Sequence, residues 1–223
     1  MLNRILAIDT STNACSVALF YNEKIVSRFL ISVNEHSKKI LPMIDEILSE
    51  VKIKLSELNA IVFSKGPGSF TGIRVGIGIS QGLAFGSNLP LIGLSTLMIL
   101  AEGAYRVTGQ SKILVGINAK MSKIFFSKYY RNKNNIWIGE KFEVLISLKE
   151  IKIFLDSLIG KWYCAGNCWD IYPELLDSKK IIFSKIIFPC AKDMLFIVRD
   201  LLYKNKIIKI EDIKPTYLLN PTI

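Results

Sequence analysis

Short apolar runs begin the chain, and clusters of turn residues separate them. Residues 4–10 form an apolar segment that contains Asp9 near its end, and residues 15–21 and 24–31 form two further segments of this kind. Small polar residues at positions 11–13 separate the first two segments, as expected for a tight turn. The pattern predicts a β-meander of three strands, with one carboxylate at its first turn.

The pattern changes to a helical period between residues 34 and 51. Apolar side chains recur there every three or four positions, which is typical of a helix with one buried face. The apolar arc spans about 160°, whereas one sheet covers roughly 100° of a surface helix. The excess predicts a second contact for this helix. Its apolar members are Ile40, Leu41, Met43, Ile44, Ile47, Leu48 and Val51.

A strand-like run at residues 60–63 leads into a glycine-rich turn. Pro67 has no amide donor, and Gly66 and Gly68 permit positive φ, so a sharp turn is predicted. The residues of this loop with a predicted role are Gly66, Gly68, Ser69 and Thr71.

A glycine-rich helix is predicted at residues 70–86, with Ser69 and Thr71 as candidate N-caps. Each glycine inside a helix costs about 1 kcal/mol relative to alanine, so close packing must stabilise this one. Small residues recur every four positions and therefore lie along one side. That side packs on the chain's own sheet or, in addition, against a partner's helix. The stripe consists of Gly72, Gly76, Ser80 and Ala84.

The order of elements repeats after a linker at residues 109–111. The first half continues with a strand at residues 89–93 and a helix at residues 96–107. The second half contains predicted strands at 112–118, 123–130, 136–145, 162–166 and 181–188, and helices at 149–158 and 190–203. This duplication predicts an α/β fold with two lobes, residues 1–108 and 109–223, each a mixed sheet with flanking helices. The last residues are expected to pack back on the first lobe.

Composition limits the classes of protein to consider. The 223 residues include 29 basic and 19 acidic side chains, for a net charge of +10. Basic proteins often bind nucleic acids, but these lysines are dispersed, so charge alone indicates no such surface. No apolar run reaches the ~18–20 residues that span a membrane. No signal-peptide pattern is found either, and we expect a cytoplasmic protein without a membrane partner.

The first turn carries the clearest candidate chemistry. Asp9, Thr10, Ser11 and Thr12 follow one another at the end of a strand. A carboxylate can hold metal-bound water while hydroxyls and amides face phosphate oxygens. The alternative is that Asp9 only caps the turn.

Other catalytic patterns are missing from the sequence. It contains no P-loop, no complete dinucleotide fingerprint and no Gly-x-Ser-x-Gly run. His36 is the only histidine, and Cys164 and Cys168 are separated by three residues, so no zinc site is predicted. The four cysteines are expected to be buried thiols. The sequence therefore indicates a protein that binds rather than reacts.

Several motifs resemble known families. Ile8-Asp9-Thr10-Ser11-Thr12 resembles the first phosphate loop of the actin/Hsp70/sugar-kinase superfamily. Lys65-Gly66-Pro67-Gly68-Ser69-Phe70-Thr71-Gly72-Ile73-Arg74 and Gly93-Leu94-Ser95-Thr96-Leu97 are similar to segments of the bacterial TsaB (YeaZ) family. Asn118-Ala119-Lys120-Met121 resembles that family's Asp-Ala-Arg-Met segment, with Asn118 in place of the acid.

The resemblance implies actin-like (ribonuclease H-like) lobes and a role in making threonylcarbamoyladenosine beside the anticodon of tRNA. It implies a non-catalytic subunit that binds and activates a TsaD-like paralogue, works with a TsaE-like ATPase and associates with tRNA indirectly. A homodimer through the same helices is an open alternative for the isolated chain. No cofactor or metal is required; binding of ATP or ADP with Mg²⁺ stays open, but hydrolysis is not expected. The alternative is a nucleotide-binding ATPase or kinase that acts through Asp9.

The resemblance also assigns a partner interface to the helices at residues 34–51 and 70–86, which fits the wide apolar arc and the small-residue stripe. The predicted interface residues are Leu41, Met43, Ile44, Ile47, Gly72, Val75, Gly76, Ile79, Ser80 and Leu83. No catalytic residue is assigned, and the segment from Asp9 to Thr12 is predicted to be a vestigial nucleotide site.

Overall fold

Two mixed β-sheets, one from each half of the chain, organise the fold. The computed structural model describes residues 3–202, 215, 216 and 218. The first sheet contains β1 (Arg4–Asp9), β2 (Ala14–Tyr21), β3 (Lys24–Ile31), β4 (Ala60–Ser64) and β5 (Leu91–Leu94), in the order β3-β2-β1-β4-β5. β1 to β3 pair antiparallel, and β4 and β5 continue the sheet parallel to β1. The predicted meander is confirmed.

The second sheet repeats this plan. It contains β6 (Lys112–Asn118), β7 (Lys123–Arg131), β8 (Trp137–Ile138), β9 (Val144–Ser147), β10 (Trp162–Ala165) and β11 (Ile181–Phe183). The order is β11-β10-β6-β7-β8, and β9 also pairs with β7. The α-helices of the described residues are α1 (His36–Val51), α2 (Phe70–Ser87), α3 (Thr96–Thr108), α4 (Leu148–Asp156), α5 (Cys168–Ile171) and α6 (Ala191–Leu202).

Two predicted strands of the second half are shorter than expected. The strand predicted at residues 136–145 is divided by a 3₁₀ turn, Glu140–Phe142, into β8 and β9. Gly139 precedes that turn with the Tyr129 ring packed so closely that an added Cβ would lie 2.4 Å from it. The strand predicted at residues 181–188 ends at Phe183, since Lys185 takes a left-handed φ of 64° that breaks the extended backbone.

Helices α1 and α2 cover one face of the first sheet. Their shared core includes Leu6, Ile8 and Val17 from the strands and Ile40 and Ile47 from α1. The strand residues of this core alternate along their strands, and the residues from α1 recur at helical spacing, as the sequence pattern requires.

Helices α3 and α6 join the two halves. α3 packs on β6, β7 and β10 of the second sheet, while α6 packs on β1, β2 and β4 of the first. Residues 96–104 of α3 are all buried, as expected for a helix covered on every side. The predicted boundary after residue 108 falls between α3 and β6, and the two halves share one continuous core across it. None of the described helices has the length and apolar character needed to cross a membrane.

Candidate functional site

The turn that follows β1 is closed to solvent. Asp9, Thr10 and Ser11 are fully buried, and Thr12 is nearly so. Asp9 Oδ1 accepts hydrogen bonds from the Ser11 amide at 3.3 Å and the Ser11 hydroxyl at 2.7 Å. Burial raises the pKa of Asp9 to about 6, while the Ser64 hydroxyl and the bonds from Ser11 lower it. Asp9 Oδ1 therefore serves the turn itself, whereas the buried Oδ2 has no hydrogen-bond partner among the described residues.

The glycine-rich loop packs directly on this turn. The Ser69 amide donates to Ser11 O at 2.7 Å, and Thr10 Oγ1 donates to Gly72 O at 2.7 Å. An added Cβ on Gly68 would lie 2.1 Å from Ser11 O, so only glycine fits there. The chain's own backbone thus occupies the Thr10 hydroxyl and the Ser11 carbonyl of this turn.

Ser69 is the N-cap of α2, because its Oγ accepts a hydrogen bond from the Gly72 amide at 3.3 Å. Thr71, the other candidate cap, lies inside the first turn of α2 with an exposed side chain. That prediction is wrong, since the helix begins one residue before Thr71.

The predicted stripe of small residues faces the chain's own sheet. An added Cβ would lie 2.1 Å from Thr10 O at Gly72 and 2.5 Å from Thr10 Oγ1 at Gly76. Ser80 is fully buried. These positions let α2 approach the β1 turn, and they cannot form the partner interface assigned to them.

A second glycine stripe, which the sequence argument missed, lies on the outer side of α2. Gly78, Gly82 and Gly86 are exposed, and an added Cβ at any of them would meet nothing within 4 Å. Phe85, which is 81% exposed, flanks this stripe. The four-residue spacing is visible in the sequence, and Arg74 and Gln81, which lie on the same side of α2 as this stripe, are the polar signal that could have identified the outer side.

The predicted interface residues of α1 are mostly buried. Met43, Ile44 and Ile47 belong to the core beneath the helix, and Met43 Sδ lies 3.8 Å from Cys15 Sγ. Their assignment therefore changes from partner interface to core, because the sheet below α1 covers more of the apolar arc of this helix than expected. Leu41 remains 48% exposed.

Some predicted interface residues of α2 remain accessible. Val75, Ile79 and Leu83 are half-buried along the helix edge next to the outer glycines. We call the accessible set the α1–α2 surface. It consists of Leu41, Val75, Gly78, Ile79, Gly82, Leu83 and Gly86.

A polar network, also missed by sequence reasoning, ties the glycine loop to the second half. Lys65 Nζ lies 2.6 Å from Glu140 Oε1, and Glu143 accepts hydrogen bonds from Ser95 and Tyr129. Burial raises the pKa of Glu143 to about 7. The Thr216 amide donates to Lys65 O at 2.8 Å, so a residue near the C-terminus also reaches this loop.

The second copy of the β1 turn is built differently. The Asn118 amide donates to Asn167 Oδ1 at 2.8 Å, and Asn118 Oδ1 accepts from the Lys120 amide at 3.2 Å. Asn118 therefore organises its own turn through neutral hydrogen bonds.

Metal-binding side chains do not converge in the part of the chain that the structure describes. No group of three or more His, Cys, Asp or Glu side chains is placed to hold an ion among those residues. The four cysteines are free thiols. Burial raises the pKa of Cys15 to about 12 and that of Cys190 to about 11.

Known proteins resemble the chain over most of its length. Residues 30–166 match the family model described as TsaD: tRNA N6-adenosine threonylcarbamoyltransferase. The chain is 40% identical to the tRNA threonylcarbamoyladenosine biosynthesis protein TsaB of Escherichia coli K12 over 219 residues, which cover 97% of this chain and 95% of that protein. It is 37% identical to the Haemophilus influenzae protein of the same name, over 97% of this chain and 93% of that one.

Solved structures agree with these relatives. A Pseudomonas aeruginosa protein described as similar to peptidase YeaZ superposes with a TM-score of 0.88 at 31% identity, covering 97% of this chain and all of that one. A second Pseudomonas aeruginosa structure, named YeaZ, gives a TM-score of 0.84 at 30% identity with the same coverage. The two-lobed, actin-like fold expected from the motifs is confirmed.

Proposed function

The chain belongs to the TsaB (YeaZ) family of tRNA threonylcarbamoyladenosine biosynthesis proteins, and from this premise we propose that it is a non-catalytic subunit that binds and activates a TsaD-like threonylcarbamoyltransferase. The observation that carries this proposal is the α1–α2 surface. A Cβ added to any of the three glycines on its outer side would meet nothing of this chain within 4 Å.

These glycines have a cost that the single chain does not offset. A glycine in a helix interior is about 1 kcal/mol less favourable than alanine. At Gly72 and Gly76 the close packing on Thr10 accounts for the glycine, but Gly78, Gly82 and Gly86 gain nothing comparable. A second helix that packs closely along α2 would supply the missing contact.

The partner's class follows from the family match. Residues 30–166, which include α1 and α2, match the TsaD model itself. A TsaD-like paralogue would therefore present helices equivalent to α1 and α2, and the two chains could pair almost as a symmetric dimer does. The same surface would support a homodimer when the paralogue is absent. A TsaE-like ATPase as a further partner stays a prediction.

The buried turn supports a non-catalytic role. Asp9 is fully buried in the turn on which the chain's own glycine loop packs, and its Oδ1 accepts a hydrogen bond from Ser11. We propose that the subunit needs no nucleotide. Calorimetry with ATP and Mg²⁺ is expected to show no saturable binding to the isolated chain. Tight binding that the change Asp9→Ala removes, together with ATP turnover, would instead support the ATPase alternative.

The interface is tested by adding side chains where the monomer has room for them. The double variant Gly78→Lys/Gly82→Lys should weaken binding to the TsaD-like paralogue by about 30-fold or more, as for a central interface residue. Gln110→Lys, which adds charge at an exposed linker position, is the control. Binding is measured by calorimetry, folding by circular dichroism, and activation by reconstituted modification of tRNA. Unimpaired binding by the folded double variant would reject the interface.

A further inference from the structure

A row of lysines and aromatic rings runs along one face of the second sheet. Lys112 lies directly opposite Tyr130 in the β6–β7 pair, and Lys128 lies two residues before Tyr130 on the same face of β7. Lys128 Nζ is 5.5 Å from the centre of the Phe142 ring, and Lys141 Nζ is 5.0 Å from it. We call these five residues the β7 row.

The row is accessible and its charges are not neutralised. Lys112 and Lys141 are exposed, Phe142 is 40% exposed, and Lys128 and Tyr130 are half-buried. Among residues 3–198, no carboxylate lies within 4.0 Å of any of the three lysines. Three unpaired positive charges therefore line one continuous strip of surface.

The fold directs the nearby acids away from this strip. Glu140 and Glu143 flank Lys141 and Phe142 in sequence, but both point toward the first half of the chain. Glu140 pairs with Lys65, and Glu143 is held by Ser95 and Tyr129. The 3₁₀ turn thus separates its acidic side chains from its basic and aromatic ones.

We propose that the β7 row contacts tRNA directly, with the three lysines on phosphates and Phe142 stacked on an unpaired base. This inference rests on the proposed role in tRNA modification, and it differs from the indirect association expected from the sequence. Single-stranded segments of RNA are bound by aromatic side chains that stack on bases and by basic groups that follow the backbone. Each lysine–phosphate contact releases counterions, so binding depends on salt.

The alternative is that the lysine stems merely cover the Phe142 ring. Within the row, Tyr130 does have a structural role, since its ring packs against the Trp162 ring with ring centres 5.2 Å apart. Phe142 belongs to no buried cluster of the described residues, and it lies between two lysines at the surface. That position is better suited to a ligand than to the core.

The test measures binding of a fluorescein-labelled tRNA, transcribed with the substrate anticodon loop, to the full chain at several salt concentrations. The triple variant Lys112→Gln/Lys128→Gln/Lys141→Gln should reduce the slope of log affinity against log salt by about 2, or about 0.7 per contact. Lys24→Gln/Lys38→Gln/Lys52→Gln removes the same charge from exposed positions of the first half and should leave the slope nearly unchanged.

The aromatic contribution is tested separately. Phe142→Leu keeps an apolar side chain but removes the stacking surface, so affinity should fall about tenfold with an unchanged salt slope. The proposal is overturned if the wild-type chain binds no tRNA, if both lysine triples lose affinity equally, or if polyglutamate displaces the tRNA as well as unlabelled tRNA does. Binding of each variant to the TsaD-like paralogue is measured in parallel. Retained pairing together with unchanged tRNA binding by the lysine triple variant would reject the β7 row alone. Lost pairing by the variants of the α1–α2 surface is a separate result that bears on the proposed function.

Discussion

Ser95, the N-cap of α3 in the first half, donates its hydroxyl hydrogen to Oε1 of Glu143 in the second half. The same Oε1 accepts a hydrogen bond from the Tyr129 hydroxyl. Ser95 Oγ in turn accepts the amides of Leu97 at 3.1 Å and Met98 at 3.4 Å. One carboxylate therefore joins a helix N-terminus of one lobe to the sheet of the other.

This contact predicts that stability depends on pH. Burial raises the pKa of Glu143 from 4.5 to about 7, with Glu140 adding to the rise and Ser95, Tyr129 and Lys65 opposing it. Because the folded pKa exceeds the unfolded one, the free energy of unfolding should fall as pH rises from about 4.5 through about 7. Asp9, raised from 3.8 to about 6, contributes in the same direction.

The change Glu143→Gln should flatten this dependence, since a neutral amide cannot titrate. Urea unfolding of the wild-type chain and of the variant, at several pH values between 5 and 8, measures how the free energy of unfolding depends on pH. Asp9 is unchanged in the variant, so part of the slope below about pH 6 should persist. Identical slopes in the two proteins would show that Glu143 does not titrate in this range.

Two glycines of one helix should respond oppositely to the same substitution. Gly72→Ala places a methyl group 2.1 Å from Thr10 O and should destabilise the protein by about 1–3 kcal/mol. Gly82→Ala meets nothing within 4 Å and should stabilise the isolated chain by about 0.5–1 kcal/mol. The urea midpoints of the two variants provide the comparison. A shift in the same direction for both would contradict the orientation of α2.

Breaking a buried ion pair between the two halves should strongly lower the free energy of unfolding. Glu102 is 2% exposed and accepts from Trp137 Nε1 at 2.7 Å, while Arg131 Nη1 lies 3.3 Å from it. Arg131→Gln leaves this carboxylate without its cation and should cost about 3 kcal/mol. Arg4→Gln breaks an ion pair at the surface with Glu57 and should cost less than about 1 kcal/mol. Equal losses of stability for Arg131→Gln and Arg4→Gln in thermal unfolding would contradict the larger contribution expected of the buried pair.

The thiols should be unreactive until the chain unfolds. Cys15, Cys164 and Cys168 are buried, Cys190 is partly so, and desolvation raises the pKa of each. At pH 8 a thiol-specific disulfide reagent should react slowly with the native chain and rapidly with all four thiols in urea. A cysteine that reacts rapidly in the native state would contradict this packing.

Local chemistry accounts for the elements that could be predicted. Alternating apolar runs and small turn residues specify the strands from Arg4 to Ile31, and Ser69 caps α2 through a bond to a residue three positions away. These features depend on neighbours in the chain, so they are visible without the fold. The break at Gly139 is not, because it depends on the Tyr129 ring of the adjacent strand.

The amino-acid sequence by itself determined the duplicated α/β plan, the family and the close packing of α2. The spacing of small residues alone did not determine which side of α2 faces outward, since both Gly72-Gly76-Ser80 and Gly78-Gly82-Gly86 satisfy it. Only the tertiary structure decided this, because the β1 turn occupies the first side and leaves the second open. The β7 row likewise exists only in the fold, where strand pairing brings Lys112 beside Tyr130 and the 3₁₀ turn brings Phe142 to Lys128.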